Sequence, residues 1–475
     1  MEVLQRTANR GSISTASAYD IDNSSVWESD LQDQAYISQG GTAGTRTKHT
    51  WSIWIKRTEL GTRQQIFEGG TNNTVTTQLG LSFQTTDALE VRAGEYVNGS
   101  NAGTVYRLTT RLFRDTSAWY HIVAAFDTTQ GTANDRIKIW VNGVQETSFA
   151  TTANPGQNTD LGLFAANAQN SIGVSANNGF FINGYLAHPA LVYNAQLNAD
   201  SFGEFDNDSG IWKPIDLSDV TFGTYGYWLK NETSNQMYND SSGSSRNFAR
   251  WDDTIYQATD TPTNNFCVMN VNKGITYYTV NGPGTLNRHP IITNGATVIG
   301  NNSNNYVITD ATMAMTSGKW YWEMKCTVDA NTNVTEAGIA TNHDLGFYSD
   351  DGVGNFFYAF GGGRYVNGGA TGYGTAWATN DIIGFAYDAD NWTLTCFKNN
   401  SSQGNLLASQ ADLSAKAAIF KLITYGTHTY QMNFGGYHVN SLSSAASDAN
   451  GYGSFEYAPP SGYYALCSKN LAQYG

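Results

Sequence analysis

The chain is 475 residues long, carries a formal net charge of −14, and has charged residues at only 14% of its positions. Its length favours two or three domains, and its negative charge excludes a protein that binds nucleic acid by neutralising the phosphate backbone. No run of about 18 apolar residues occurs, which excludes a membrane-spanning helix. The many Gly, Tyr, Trp and Asn residues are typical of a turn-rich β protein.

Residues 1–20 are small and polar, and they are compatible with a flexible tail, a first edge strand or a docking segment. The start of the chain has no apolar signal region. We therefore expect the protein to be made in a cytoplasm and to leave it by no recognisable secretion signal.

Strand-like alternation begins after residue 21 and is clearest in residues 50–57. There, three apolar side chains fall on one face and three mixed ones on the other: Trp51, Ile53 and Ile55 against Ser52, Trp54 and Lys56. Residues 119–126 are apolar on both faces apart from His121, which predicts a central strand. Residues 136–141 alternate, and Asn142-Gly143 predicts a tight turn after them.

The first half resembles the laminin-G-like, concanavalin A-like jelly rolls. The order and spacing of several short motifs carry this resemblance: 51–57, Trp119-Tyr120-His121, Val141-Asn142-Gly143, Ile172-Gly173 and Gly184-Tyr185-Leu186. The resemblance implies an antiparallel β sandwich over residues 21–235.

A stretch rich in Ser, Asn and Asp follows, from Asp240 through Phe266, and it contains Pro262. This composition is typical of a surface connection between folded units. We therefore expect an irregular linker over residues 236–275 and a second domain over residues 276–475.

The second half contains Gly318-Lys-Trp-Tyr-Trp-Glu323, which resembles the first strand of SPRY domains. Residues 337–340, 377–384 and 388–400 resemble later strands of the same family, although its usual Asn-Gly turn is Asn399-Asn400 here. The resemblance implies an all-β chain of two antiparallel β-sandwich domains. A laminin-G-like domain followed by a SPRY-like domain is also similar to the arrangement in tailed-phage virion proteins.

The sequence offers little for catalysis. Glycosidases need two carboxylates roughly 5 to 9.5 Å apart across a sugar. Glu28 and Asp30 could share a strand face, but no third carboxylate continues the pattern of the β-sandwich glucanases. Asp388 and Asp390 predict a turn, and His121 predicts a hydrogen-bonded sheet residue. We therefore expect no enzymatic activity.

Binding is the better prediction, because sugar sites combine aromatic faces with amides and carboxylates. Two loop-rich stretches have this mixture, 92–106 and 345–373. The candidate ligand-binding residues are Tyr96, Asn98, Tyr106, Tyr348, Asp350, Asp351, Tyr358, Arg364, Tyr365 and Tyr373. An alternative is that these aromatics cap the sandwich. No cofactor is expected, apart from a calcium ion that Asp87 or Asp115 could help to hold.

These observations predict a non-enzymatic protein on the surface of a phage particle, within a tail fibre or similar host-contact appendage. Its partners would be a host surface glycan or protein, other virion proteins and further copies of itself. Two alternatives remain: a capsid or tail decoration protein that binds no receptor, and a polysaccharide-degrading jelly-roll enzyme.

All four cysteines are far apart in the sequence and are expected to be reduced and buried.

Overall fold

The computed structural model describes residues 19–28, 37–40, 44–70, 78–93, 96–97, 100–101, 105–163, 168–175, 179–234, 236–250, 255–271, 290–329, 335–341, 354–410, 413–414, 416–439 and 441–475. They fall into two compact units, the first ending at Thr263 and the second starting at Asn264.

The first unit consists of short strands and two 3₁₀ turns, Ala133–Arg136 and Ala199–Ser201. Its strands are β1 (Ser24–Trp27), β2 (Ile37–Gly40), β3 (Lys48–Arg57), β4 (Gln64–Gly70), β5 (Gln78–Phe83), β6 (Ala88–Ala93), β7 (Tyr96–Val97), β8 (Ser100–Asn101), β9 (Val105–Leu112), β10 (Tyr120–Asp127), β11 (Ile137–Val141), β12 (Val144–Gln145), β13 (Phe149–Ala153), β14 (Gln169–Ile172), β15 (Gly184–Tyr193), β16 (Gly203–Phe205), β17 (Trp212–Pro214), β18 (Tyr227–Trp228), β19 (Ala249–Arg250) and β20 (Ile255–Ala258).

Two antiparallel eight-stranded sheets make up most of this unit. One has the order β12-β11-β10-β3-β15-β1-β20, with β18 paired to β15, and the other has the order β13-β9-β6-β5-β4-β14-β2-β19. Apolar side chains from both sheets form one continuous core, in which Trp51 stacks on Phe67 with ring centroids 5.2 Å apart. The sequence periodicity positions this core, because alternate residues of each strand face the opposite sheet.

The predicted hairpin of residues 119–143 is confirmed. β10 pairs with β3 on one side and with β11 on the other, so it is a central strand. Asn142 and Gly143 both have positive φ, as the tight turn requires. A Cβ atom at Gly143 would lie 2.2 Å from the ring of Trp212, so packing demands glycine there as well.

The region predicted as a linker, residues 236–275, contains parts of both units. Asp240 organises a turn by accepting hydrogen bonds from the backbone of Trp228, Ser242 and Arg246. Strand β20 then pairs with β1. The described residues of this region, 236–250 and 255–271, therefore include paired strands and hydrogen-bonded turns, although their composition is that of a surface connection.

The second unit is built on one twelve-stranded sheet and a short C-terminal helix, α1 (Ser468–Tyr474). Its strands are β21 (Ile291–Thr293), β22 (Val298–Met315), β23 (Lys319–Asp329), β24 (Thr335–Ala340), β25 (Asn355–Ala359), β26 (Gly363–Val366), β27 (Gly369–Gly372), β28 (Ile382–Asp388), β29 (Thr393–Lys398), β30 (Ser401–Leu407), β31 (Ala418–Asn433) and β32 (Tyr464–Ala465). No helix within the described ranges has the length and apolar character needed to cross a membrane.

Strand β23 is the strand that the Gly-Lys-Trp-Tyr-Trp motif predicts, and its alternating Trp320, Trp322 and Met324 side chains lie in the core. Asp388 accepts hydrogen bonds from the backbone of Asp390 and Asn391, which confirms the predicted turn. The four cysteines are buried and form no disulfide.

Candidate functional site

The outward side of β4, β5 and β6 carries a continuous polar surface. Cross-strand pairing places Glu68, Gly80, Arg92 and Tyr106 in one row across four strands. Directly opposed residues of an antiparallel sheet share a face. The alternating residues Leu79, Leu81 and Val91 lie in the core, so these four point away from it. We call the following set the polar face: Arg63, Gln65, Glu68, Gln78, Gly80, Ser82, Glu90 and Arg92.

The polar face is unusual because its polar side chains are buried. Each of them is between 1% and 8% exposed, whereas charged and amide side chains on the outside of a sheet are normally solvated. They surround a shallow cleft whose empty volume of about 170 Å³ includes open solvent, and the packed side chains leave no space in it for a water molecule. A ligand would therefore have to lie on top of the polar face.

Hydrogen bonds fix the orientation of both glutamines on the polar face. The Gln65 amide nitrogen donates to the carbonyl oxygens of Phe67 (2.8 Å) and Leu81 (3.2 Å). The Gln78 amide nitrogen donates to a Glu68 carboxylate oxygen. Since each nitrogen is held by an acceptor, neither amide can be flipped without losing these bonds. The oxygen of each amide therefore has to find its own donor.

Three acceptor atoms of the polar face find no donor among the described residues: Oε1 of Gln65, Oε1 of Gln78 and Oε2 of Glu90. An unsatisfied buried polar group costs roughly 1–3 kcal/mol. A ligand that donates hydrogen bonds from above the face would remove this cost. These atoms mark the polar face as a candidate binding site.

Charge on the polar face is balanced, with two arginines and two glutamates. Arg63 donates to Glu90 over 3.5 Å and its guanidinium lies 4.5 Å from the centre of the Phe180 ring. The cleft therefore offers polar groups without a net charge.

Gly80 lies at the middle of the polar face, and its lack of a side chain leaves room for the amide end of Gln65. A Cβ atom there would lie 2.5 Å from the amide nitrogen of Gln65 and 3.6 Å from Glu68 Oε2. The backbone of Gly80 does not have positive φ, so space rather than conformation requires glycine.

Of the three candidates predicted in the first half, Tyr106 lies beside Arg92 in the row across the sheet and is 7% exposed. Tyr96 begins the two-residue strand β7, and Asn98 lies outside the described residues. The glutamines and glutamates were missed. The sequence feature that could have indicated these residues is the alternation of Gln78, Gly80 and Ser82 with core leucines. By itself this alternation predicts only a solvent-exposed face of the sheet.

In the second half, Tyr348, Asp350 and Asp351 lie outside the described residues. Tyr358 is 0% exposed, and its hydroxyl donates to the carbonyl oxygen of Thr375. Its ring packs against Tyr373 and Trp377, with centroids 5.1 and 5.0 Å away. Burial raises the pKa of Tyr373, whose hydroxyl donates to the carbonyl oxygen of Gly404. This group fills the interior of the second unit.

Arg364 and Tyr365 are neighbours on β26 and project to opposite sides of the sheet. Arg364 is opposite Tyr358 and donates to Thr371 Oγ1 (3.1 Å) and to the carbonyl oxygen of Leu406 (2.9 Å). Tyr365 is opposite Phe357 and packs on a separate apolar cluster. The structure thus does not bring the described candidates of this half into one surface.

A second cleft, whose empty volume of about 410 Å³ includes open solvent, lies in the second unit, and Glu323 is one of the residues that line it. Glu323 accepts hydrogen bonds from the Tyr321 hydroxyl (3.0 Å), the Asn433 amide (3.3 Å) and the backbone nitrogens of Glu456 (2.8 Å) and Tyr457 (2.9 Å). Burial raises the pKa of Glu323, and the bonds from the Tyr321 hydroxyl and the two backbone nitrogens oppose that rise. Because all four bonds come from the chain itself, Glu323 anchors the C-terminal segment to β23.

The two carboxylates considered for calcium are engaged by the protein. Asp87 accepts from Arg57 (3.2 Å), Arg114 (3.0 Å) and the backbone of Gly61 (2.8 Å), which together hold its pKa low despite the opposing effect of burial. Asp115 accepts from the backbone and hydroxyl of Ser117. The described residues contain no group of three or more His, Cys, Asp or Glu side chains suited to a metal ion.

Of the pair considered for glycoside hydrolysis, Glu28 follows β1 and Asp30 lies outside the described residues.

His121 is a hydrogen-bonded sheet residue, as predicted, since its ring contacts the Ser52 hydroxyl (2.9 Å) and accepts from the Trp212 indole (2.8 Å).

Comparison with known proteins gives a family match in the first half. Residues 31–201 match the model of the concanavalin A-like lectin/glucanases superfamily. No curated protein matches the sequence.

Three solved structures are similar. The SPRY domain of human HERC1 is 17% identical with a TM-score of 0.27, and the alignment covers 30% of this chain and 91% of that one. A heptameric SAP-like pentraxin from Limulus polyphemus is 15% identical with a TM-score of 0.31, covering 50% and 96%. A human SPRY domain is 12% identical with a TM-score of 0.26, covering 32% and 97%.

At these TM-scores the three likenesses say nothing about function. The family match covers β4, β5 and β6, so the polar face belongs to the matched region. The chain is therefore an all-β protein with a concanavalin A-like, laminin-G-like domain at residues 31–201 and a second β domain after it.

Proposed function

We propose that this protein binds carbohydrate through the polar face of its first unit, as part of a tail fibre or similar host-contact appendage of a tailed phage. The observation that carries the binding proposal is the set of three buried acceptors without a donor among the described residues, on a sheet of a concanavalin A-like domain. The assignment to a phage particle is supported by the domain order seen in the sequence. Attachment to other virion proteins and self-association belong to the same proposal.

Sugars suit this surface for a simple chemical reason. Each hydroxyl can donate one hydrogen bond while accepting others. A sugar edge lying on the polar face would supply the missing donors to Gln65, Gln78 and Glu90, and its oxygens could accept from the arginines. Tyr106, in the same row as Arg92, adds an aromatic ring at the side of the cleft, where the apolar face of a sugar can pack.

Sedimentation of the purified chain with host envelope material tests the proposal, with and without a chelator. We expect saturable binding that free envelope polysaccharide displaces, with no release of reducing sugar ends over time. Loss of binding on chelation would add a calcium requirement. Absence of binding, with the protein instead recruited onto particles that lack it, would make it a decoration protein. Release of reducing ends would make it a polysaccharide-degrading enzyme.

A single methyl group tests the location of the site. In Gly80→Ala, the new Cβ should displace the amide end of Gln65 and so break its hydrogen bonds to the carbonyl oxygens of Phe67 and Leu81, each worth about 1 kcal/mol. We expect envelope binding to weaken about tenfold, since one well-placed hydrogen bond and its geometry are lost. The thermal midpoint should fall by about 4–8 °C, so binding is compared at a temperature at which the variant is folded.

Gly131→Ala is the matched control, because a Cβ atom there meets nothing within 4 Å and its backbone is not in the left-handed region. It should bind like the wild type. Equal envelope binding by Gly80→Ala and Gly131→Ala would show that the carbohydrate site does not lie on the polar face.

A further inference from the structure

We infer that Phe180 is the aromatic surface on which a bound sugar ring stacks, at the edge of the polar face. The inference rests on the proposed function and names a contact residue of the same site. Three observations carry it: the exposure of the Phe180 ring, its place beside Arg63, and the backbone conformation that holds it there.

The Phe180 ring is accessible where the other side chains of the site are not. Phe180 is 39% exposed, whereas the polar side chains of the face are at most 8% exposed and Tyr106 is 7% exposed. The centre of the Phe180 ring lies 4.5 Å from the guanidinium of Arg63, which is part of the polar face. A ligand lying on top of the polar face can therefore reach this ring at the Arg63 edge.

The backbone of Phe180 has a conformation that a bulky residue rarely adopts. Its φ is +59°, in the left-handed region where a Cβ atom is crowded and glycine is favoured. The Phe180 carbonyl oxygen accepts a hydrogen bond from the backbone nitrogen of Gln65 (2.6 Å), which ties this loop to β4. Backbone strain of this kind clusters at functional sites, and here it fixes an aromatic ring at the edge of the polar face.

Phenylalanine at this position suits a sugar ring. One side of a pyranose carries mainly C–H groups that pack on an aromatic face, while the hydroxyls at its edge form hydrogen bonds. With one sugar ring on Phe180, its hydroxyls or the next sugar of a chain would lie over Gln65 and Glu90, which each have an oxygen without a donor among the described residues. Phe180 would thus supply the apolar contact that the buried polar side chains cannot.

Two substitutions separate the ring from the strained backbone. Phe180→Ala and Phe180→Gly both remove the ring, but only glycine adopts positive φ without a steric penalty. In the envelope sedimentation experiment both variants should bind about tenfold more weakly than the wild type, because a stacked aromatic contact is worth a change of this size. Phe180→Gly should have the higher thermal midpoint of the two. Recovery of binding in Phe180→Gly would assign the loss to backbone strain and overturn the inference.

Phe180→Tyr is the conservative variant. It keeps the aromatic face, so envelope binding should stay within about twofold of the wild-type value. A loss as large as that of Phe180→Ala would overturn the inference, because the ring would then not be the feature that matters.

Phe205→Ala is the matched control. Phe205 is also exposed, at 47%, and packs on Trp212 with ring centroids 4.9 Å apart, outside the polar face, so this variant should bind like the wild type. Wild-type binding by Phe180→Ala together with weakened binding by Gly80→Ala would overturn the inference and leave the proposed function standing. Absence of envelope binding by the wild-type chain would overturn both.

Discussion

Replacing Asp260 by alanine should destabilise the first unit by about 3–5 kcal/mol, the usual cost of breaking a buried ion pair on one side. Asp260 and Lys56 are both 0% exposed, and their charged atoms are 2.7 Å apart. The other carboxylate oxygen accepts from the Trp119 indole (3.0 Å), and the backbone carbonyl of Asp260 accepts from Ser24 (2.6 Å). Alanine would leave the Lys56 ammonium buried without its carboxylate.

Denaturant unfolding followed by hydrogen exchange in β3 and β10 would measure this loss for the first unit alone. The double variant Lys56→Met with Asp260→Leu should recover much of the stability, because a buried pair can be replaced by apolar groups of similar volume. Asp135→Ala is the control. It breaks an ion pair with Lys138 whose side chains are 45% and 27% exposed, and should cost under about 1 kcal/mol. A similarly small loss for Asp260→Ala would contradict the structural role given to this pair.

The first unit should also lose stability steeply in mild acid. His49, His121 and His188 are all buried, and burial lowers the pKa of each from 6.5 to about 3. His121 shows why protonation is opposed there: the Trp212 indole donates to its Nδ1 over 2.8 Å. A proton on that nitrogen would have to break this bond.

The direction of the effect follows from linkage. Between pH 6.5 and about 3 the unfolded chain binds protons at these three positions and the folded chain does not, so stability falls as the pH falls. Each histidine contributes about 1.4 kcal/mol per pH unit well below 6.5, and three give about 4 kcal/mol per pH unit. Carboxylates with lowered pKa values, such as Asp206 at about 2, begin to add to this loss below about pH 5.

Hydrogen exchange of the first unit between pH 7 and 4.5 would measure this slope. Replacing His49 by phenylalanine should reduce it by one third if the variant stays folded, since His49 stacks on Phe126 at 4.6 Å and makes mainly ring contacts. A stability slope below about 1.4 kcal/mol per pH unit corresponds to a difference of less than one bound proton between the unfolded and folded chains. That result would show that the histidines become protonated within the fold.

Much of the fold follows from local sequence patterns. Alternation in residues 136–141, followed by Asn142-Gly143, is sufficient for the hairpin, because strand period and turn chemistry agree. The same holds for β23, where alternating Trp320, Trp322 and Met324 define the buried side. Such patterns are local, and a single strand reveals them.

The positions that the sequence did not reveal depend on distant contacts. Asp260 lies in a stretch whose composition is typical of a surface connection. It is nevertheless buried, because it pairs with Lys56, 204 residues earlier in the chain. Glutamines and glutamates at alternate positions of a strand predict a solvent-exposed face of the sheet, whereas in the structure these side chains are buried on the polar face. Aromatic residues such as Tyr358 predict binding by their type alone, and only cross-strand register shows which side of the sheet they occupy.

A crystal structure with the most tightly bound envelope oligosaccharide would test the central claim most directly. We expect sugar hydroxyls within hydrogen-bond distance of Gln65 Oε1, Gln78 Oε1 and Glu90 Oε2, with a ring edge over Gly80. A sugar bound elsewhere on the chain, with these three oxygens contacting only water, would contradict the assignment of the polar face as the carbohydrate site.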